Sequence, residues 1–101
     1  MTEDKKLIEL KNIGASTVNI LNSIGIHSQR ELKAIGSAQA YRRIRQQGVH
    51  VSRALLYAME GALLDIPWQS LDSALKAQLV QMAERIYQEE TESEKLTQQE
   101  E

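Results

Sequence analysis

The chain has no cysteine and no phenylalanine, and only one proline, one tryptophan and five glycines among its 101 residues. Lack of cysteine excludes disulfides and thiolate chemistry, and fits a reducing cytoplasm. With no Phe and three Tyr, the core has to be filled by Leu, Ile, Val, Ala and Met. Few helix breakers leave long stretches in which good helix formers (Ala, Leu, Met, Gln, Glu, Lys and Arg) dominate. No stretch approaches the ~18 apolar residues of a membrane span. The opening Met1-Thr2-Glu3-Asp4-Lys5-Lys6 has no apolar signal core. These absences describe a soluble, cytoplasmic, all-α protein with one domain, since domains usually run to about 100–150 residues.

Charge is divided along the chain. Residues 88–101 hold six Glu against one Lys, a local −5, whereas residues 1–87 hold eleven Lys/Arg against eight Asp/Glu, a net +3. Between Arg30 and Arg53 the basic residues Arg30, Lys33, Arg42, Arg43, Arg45 and Arg53 face only Glu31. The pattern predicts a helical domain over 1–87 and an acidic, disordered tail over 88–101. Such a tail cannot bury enough apolar surface to order itself, stays solvated, and can screen the basic body.

An internal repeat organises the first half. Glu9-Leu10-Lys11-Asn12-Ile13-Gly14 returns 22 residues later as Glu31-Leu32-Lys33-Ala34-Ile35-Gly36. Gly25-Ile26-His27-Ser28 returns at an offset of 23 as Gly48-Val49-His50-Val51-Ser52. Each unit reads as a helix end, a tight turn closed by Gly, a second helix and a terminating Gly: a tandem helix-hairpin-helix. Six helices follow from the pattern. Helix one carries Leu7, Ile8 and Leu10 and ends near Asn12, a residue that tolerates left-handed geometry. Helix two runs from about Ala15 to Ile24, with Val18, Leu21 and Ile24 inward and Gly25 as its stop. Ser28-Gln29-Arg30-Glu31 is a capping box that opens short helix three. Ser37 caps helix four, with Ala40, Tyr41 and Ile44 inward and Gly48 at its end. Helix five, from Arg53 to Asp65, is apolar almost all round and therefore central. Within it, Gly61 gives up helix propensity in a place where another helix has to cross closely. Asp72 caps helix six, whose stripe Leu75, Leu79, Met82 and Ile86 packs on its own domain, with homodimerisation through this helix left open.

Nothing in the pattern carries catalysis. No nucleophile-base-orienter set, phosphate-loop spacing or cluster of metal ligands is present, so no enzyme, cofactor or small-molecule substrate is implied. His27 and His50 occupy equivalent repeat positions without the three or four ligands that a metal needs. Glu60, alone in an apolar helix, reads as a side chain that pairs with an arginine or reaches solvent at the helix edge. Trp68 reads as lying across helix five after the Pro67 break rather than as an exposed interface anchor.

The hairpins are the candidate site. A Gly-closed turn that opens a helix points backbone amides outward at the positive end of the helix dipole, a geometry that holds DNA phosphates without reading bases. The first hairpin contributes Lys11, Asn12 and Gly14, and the second contributes Lys33 and Gly36. Arg42, Arg43 and Arg45 lie one turn further along helix four, with 42 and 45 on one face and 43 about 100° round. DNA-binding hairpins usually have two glycines and a nearby base; here Asn12 and Ala34 stand at the first glycine's place in the two units. Two partner classes follow: DNA held through phosphate, or another protein.

The succession Leu10-Lys11-Asn12-Ile13-Gly14, Gly25-Ile26-His27, Glu31-Leu32, Ile35-Gly36, Ala40-Tyr41-Arg42-Arg43, then Leu55 through Leu63 and Trp68, resembles the C-terminal domain of the TfoX/Sxy competence regulators. The resemblance covers about residues 7–83, and Tyr57-Ala58-Met59-Glu60-Gly61-Ala62-Leu63 is its most specific block. It implies a bacterial protein, a compact SAM-like bundle of five to six helices, and a role in regulating natural transformation beside the cyclic-AMP receptor protein. Regulators of that family carry an additional N-terminal domain for which this chain has no room, so it reads as a stand-alone version. A fainter likeness, through Asn19, Leu21, Gly25-Ile26-His27 and Glu31-Leu32, runs to the C-terminal domain of the RNA polymerase α subunit. In that likeness the phosphate-touching basic positions fall near Ser16 and Ala38, which argues against equally strong DNA binding and leaves a protein-contacting use of the fold open.

Overall fold

The structure, a computed structural model, describes residues 4–84. The acidic segment 88–101 and the stripe residue Ile86 lie outside these residues. Among the described residues the chain forms an all-α bundle. A 3-10 turn, Leu7–Glu9, is followed by α1 (Ala15–Ser23), α2 (Gln29–Ile35), α3 (Ser37–Gln46) and α4 (Arg53–Leu64). A second 3-10 turn, Trp68–Ser70, leads into α5 over residues 73–84.

Helix one is reduced to the Leu7–Glu9 turn because the chain on either side of it is extended. Lys6 and Leu10 both have β-region dihedrals. The preceding backbone is committed to the start of α2: Lys6 bridges Ser28 antiparallel, and Gln29 N–H donates to the Lys5 carbonyl at 3.0 Å. Asp4 Oδ1 accepts from Arg30 N–H at 2.8 Å. That hydrogen bond, seconded by one from the Ser28 hydroxyl, holds the Asp4 carboxyl below the ordinary aspartate range.

Helix boundaries follow local chemistry. Ser28 Oγ accepts from Glu31 N–H at 3.3 Å, and the Glu31 carboxylate reaches back to His27 N–H at 3.0 Å, one residue before the amide that a capping box serves. Asp72 Oδ1 accepts from Leu75 N–H at 2.7 Å and caps α5. At the end of α1, Gly25 (φ 83) closes a Schellman turn: Ile26 N–H donates to Leu21 O at 3.0 Å and Gly25 N–H to Asn22 O at 3.0 Å. Asp65 (φ 59) takes the same role after α4, where Ile66 N–H donates to Gly61 O at 2.9 Å.

Leu21, Ile26, Leu32, Ile44, Leu56 and Met59 are the largest fully buried side chains. Each such side chain stabilises the fold by about 1.5–3 kcal/mol relative to exposure. Helix α4 is central, burying Leu56, Ala58, Met59, Gly61 and Ala62 and packing against α2, α3 and the second 3-10 turn. Val18 of α1 and Ile24 just after it are only half-buried, against the rim of this core. The inward stripe of α5 runs through Leu75, Leu79 and Ala83 with Val80 beside it. Met82, expected inward, is instead 53% exposed, because the i, i+4, i+8 row through 75, 79 and 83 sets the buried face. Trp68 stacks on Tyr57 of α4 with ring centroids 6.1 Å apart, and Lys76 Nζ lies 5.4 Å from the Trp68 centroid.

Candidate functional site

Sequence identity between the two hairpins conceals different backbone geometry. In the first, the left-handed residue is Asn12 (φ 70), two positions before an extended Gly14 that precedes α1. In the second, the left-handed residue is Gly36 itself (φ 87), which ends α2 and begins α3 at one position. The matching glycines therefore do different jobs.

Asn12 is turned into the protein. Its Nδ2 donates to the Ile66 carbonyl at 2.9 Å and, more weakly, to Ala58 O at 3.4 Å, while its Oδ1 accepts from Trp68 N–H at 3.1 Å. One side chain thus ties the first hairpin to α4 and to the break that follows it. Gly61 makes the approach possible: a Cβ there would stand 2.5 Å from Asn12 Nδ2 and 2.8 Å from Ile66 O. The close crossing expected at Gly61 is made by a carboxamide and the 66–68 backbone, not by another helix. Beside this bracket, Lys11, Gly14, Ala15 and Ser16 are exposed, and the first turn of α1 has no acidic residue.

The second hairpin is packed inward where its second helix begins. Ser37 and Ala38, which open α3, are buried. The Ser37 hydroxyl makes no capping bond; it donates instead to Glu60 Oε1 at 2.8 Å. This corrects the expectation that Ser37 caps its own helix, and gives Glu60, half-buried at the edge of α4, a serine partner rather than an arginine. A carboxylate next to the helix start opposes a phosphate in the same place. Lys33 remains exposed at the end of α2.

The three arginines of α3 do not form one surface. Arg42 is only 6% exposed, packed within the inward face of α3 with Tyr41 and Ile44. Arg43 and Arg45 are exposed, and the Arg45 guanidinium carbon lies 5.8 Å over the centroid of the Tyr41 ring. The expected face shared by 42 and 45 is therefore split, because α3 is buried on two sides. Of the candidate set, Lys11, Gly14, Lys33, Arg43 and Arg45 are exposed, Gly36 is half-buried, the Asn12 side chain is bonded within the fold and Arg42 is buried. Sequence reading missed a groove between the 47–52 loop and α5, where Arg45 meets His50 and Arg53. The only signal for it was the one-residue lengthening of the second repeat unit. His27 Nδ1 lies 3.1 Å from Asn22 Oδ1, and no three His, Cys, Asp or Glu side chains converge as metal ligands among the described residues. None of the helices in the described residues is long and apolar enough to cross a membrane.

A short all-α bundle of this kind has counterparts among known proteins. The chain belongs to the TfoX C-terminal domain family, whose model matches residues 3–83. It is 29% identical over 82 residues to protein Sxy of Escherichia coli (strain K12), a match that takes in 81% of this chain and 39% of Sxy. The chain thus spans well under half the length of that relative. A crystal structure of an uncharacterized protein from Listeria monocytogenes, in a triclinic form, is similar with a TM-score of 0.73 and 38% identity. It is matched over 81% of this chain and 93% of that one. A tetragonal crystal form of a Listeria monocytogenes protein of unknown function gives a TM-score of 0.72 at 39% identity, over 78% of this chain and 98% of that one.

Proposed function

We propose that this domain is a non-enzymatic, protein-contacting module of the competence-regulator type, docking on transcription or competence machinery. The observation that carries the reading is the internal use of two hairpin groups: the side chain at the turn of the first and the helix start of the second. The Asn12 carboxamide is consumed by Ile66 and Trp68, and the start of α3 is buried against Glu60. A fold with the start of α3 filled from within still offers rigid helix ends and loops, which suit a protein surface. Family membership supplies the regulatory context, and the resemblance to competence regulators points to the cyclic-AMP receptor protein on its promoter as the assembly to test.

The test is fluorescence anisotropy with the full chain added to a labelled promoter duplex, alone and carrying the cyclic-AMP receptor protein. A protein-contacting module adds to the loaded duplex and leaves the bare duplex unchanged. Equal binding to both would contradict the reading.

Direct, sequence-tolerant DNA contact is the second reading, and one observation favours it. The start of α1 is open, with Gly14, Ala15 and Ser16 exposed beside Lys11 and no acid in the first turn. Phosphate-driven binding weakens steeply as salt rises. A bare-duplex affinity that is absent, or indifferent to salt, removes this reading.

A further inference from the structure

The second repeat unit ends differently from the first, and the difference opens a groove. After α1, the turn at Gly25 buries Ile26 completely. After α3, Gly48 adopts nearly the same φ of 84, yet Val49 behind it is 36% exposed, and the chain runs on through His50, Val51 and Ser52 before α4 begins. A groove of about 620 Å³ lies between this loop, the end of α3 and Glu84 of α5. Arg45, His50 and Arg53 line it, with Glu84 as the acidic member. Arg53 Nη2 pairs with Glu84 Oε1 at 3.1 Å, and both side chains remain about half or more exposed, at 61% and 49%. Helix α4 starts at the same place with no acidic residue in its first turn and no capping bond from Ser52. Its dipole adds to the positive potential there.

We propose that this groove is the docking site of the chain's own acidic segment, residues 88–101. Charge is the first reason: the segment carries six Glu against one Lys, and the groove presents Arg45, Arg53 and His50 against Glu84. Position is the second. The segment begins four residues after Glu84, which itself forms part of the groove wall. Reach is the third, since ten extended residues span roughly 33–36 Å and the site lies where the segment departs. Exposed ion pairs are individually weak, but a short tether raises the local concentration of the segment to the millimolar range. The docked segment covers Arg45 and Arg53, so an acidic or phosphate-bearing partner reaches them only by displacing it. This intramolecular contact holds whichever partner the domain serves.

The absence of cysteine supplies the test. Gln98→Cys in the full chain creates a unique attachment point for a nitroxide, and amide signals of the 15N-labelled protein report its approach. The expected result is selective loss of the Val49, His50, Ser52 and Arg53 signals at low salt. Those signals return at about 1 M salt, where the Debye length is ~3 Å. They also return when Glu89, Glu90, Glu92 and Glu94 are changed to Gln, and when Arg45 and Arg53 are changed to Gln. An otherwise unchanged spectrum shows that each variant is folded. Three results would overturn the proposal: no selective loss, a loss that survives the glutamine changes, or a loss seen equally when nitroxide and 15N are on separate molecules.

Discussion

A methyl group placed on Gly61 would stand 2.5 Å from Nδ2 of Asn12, closer than packed atoms allow. The two residues lie 49 positions apart in the sequence (61 − 12), and their approach fixes the first hairpin on the central helix. Gly61→Ala should therefore destabilise the domain by about 1–3 kcal/mol through overpacking, even though alanine is the better helix former by roughly 0.5–1 kcal/mol. Thermal unfolding followed by circular dichroism should show a midpoint lowered by about 4–8 °C per kcal/mol. A raised or unchanged midpoint would show that the carboxamide and the 66–68 backbone yield freely.

Asn12 and Asp65 are both non-glycine residues with positive φ, and glycine should act on them in opposite directions. At Asp65, the left-handed end of α4, glycine removes backbone strain and a negative charge from the helix C-terminus. Asp65→Gly should stabilise by a few tenths to about 1 kcal/mol. At Asn12 the same change deletes the bonds to Ile66 and Trp68 and should destabilise by about 1–3 kcal/mol. Urea midpoints of the two variants decide the matter, and an Asn12→Gly midpoint that is unchanged or raised would refute the bracket role of Asn12.

The repeat is unequal at its two terminating turns. Ile26 is fully buried, whereas Val49 at the matching position is 36% exposed. Ile26→Ala should cost about 2–5 kcal/mol, and Val49→Ala within about 0.5 kcal/mol. Comparable losses in denaturant unfolding would mean that the two units pack alike.

Asp4 supplies a pH dependence. Its carboxyl is held below the ordinary aspartate range, chiefly by the Arg30 N–H. A group whose folded value is depressed contributes its stability above the unfolded value, about 3.9, and loses it as pH falls through the folded value. The stability gap between the protein and its Asp4→Asn variant should accordingly be widest near neutral pH and close in acid below that range. Urea unfolding across a pH series measures it, and a gap of constant size would mean that the charge of Asp4 plays no part.

What could be read from the chain alone was local. The Ser28 and Asp72 caps and the Gly25 turn depend on partners within five residues, so the sequence displays each signal whole. The central place of α4 followed from its apolar circumference. Asn12 was legible as a left-handed residue but not as a bracket, because Ala58, Ile66 and Trp68 lie some fifty residues away in sequence. Ser37 looked like a cap for the same local reason that Ser28 did, yet Glu60 from a distant helix claims its hydroxyl. The burial of Arg42 and exposure of Met82 were likewise set by which faces neighbouring helices cover. Candidate site residues were thus found by motif, and sorted between fold and surface only by tertiary packing.

Titration of the 15N-labelled full chain with a short duplex at low salt tests the central claim most directly, since it reads each hairpin separately. A protein-contacting domain predicts that the amides of Ser37 to Gln39 stay in place and that those of Gly14 to Thr17 show no saturable shift. Saturable, salt-sensitive shifts at the start of α1 or of α3 would contradict it, and would mean that a hairpin there grips phosphate.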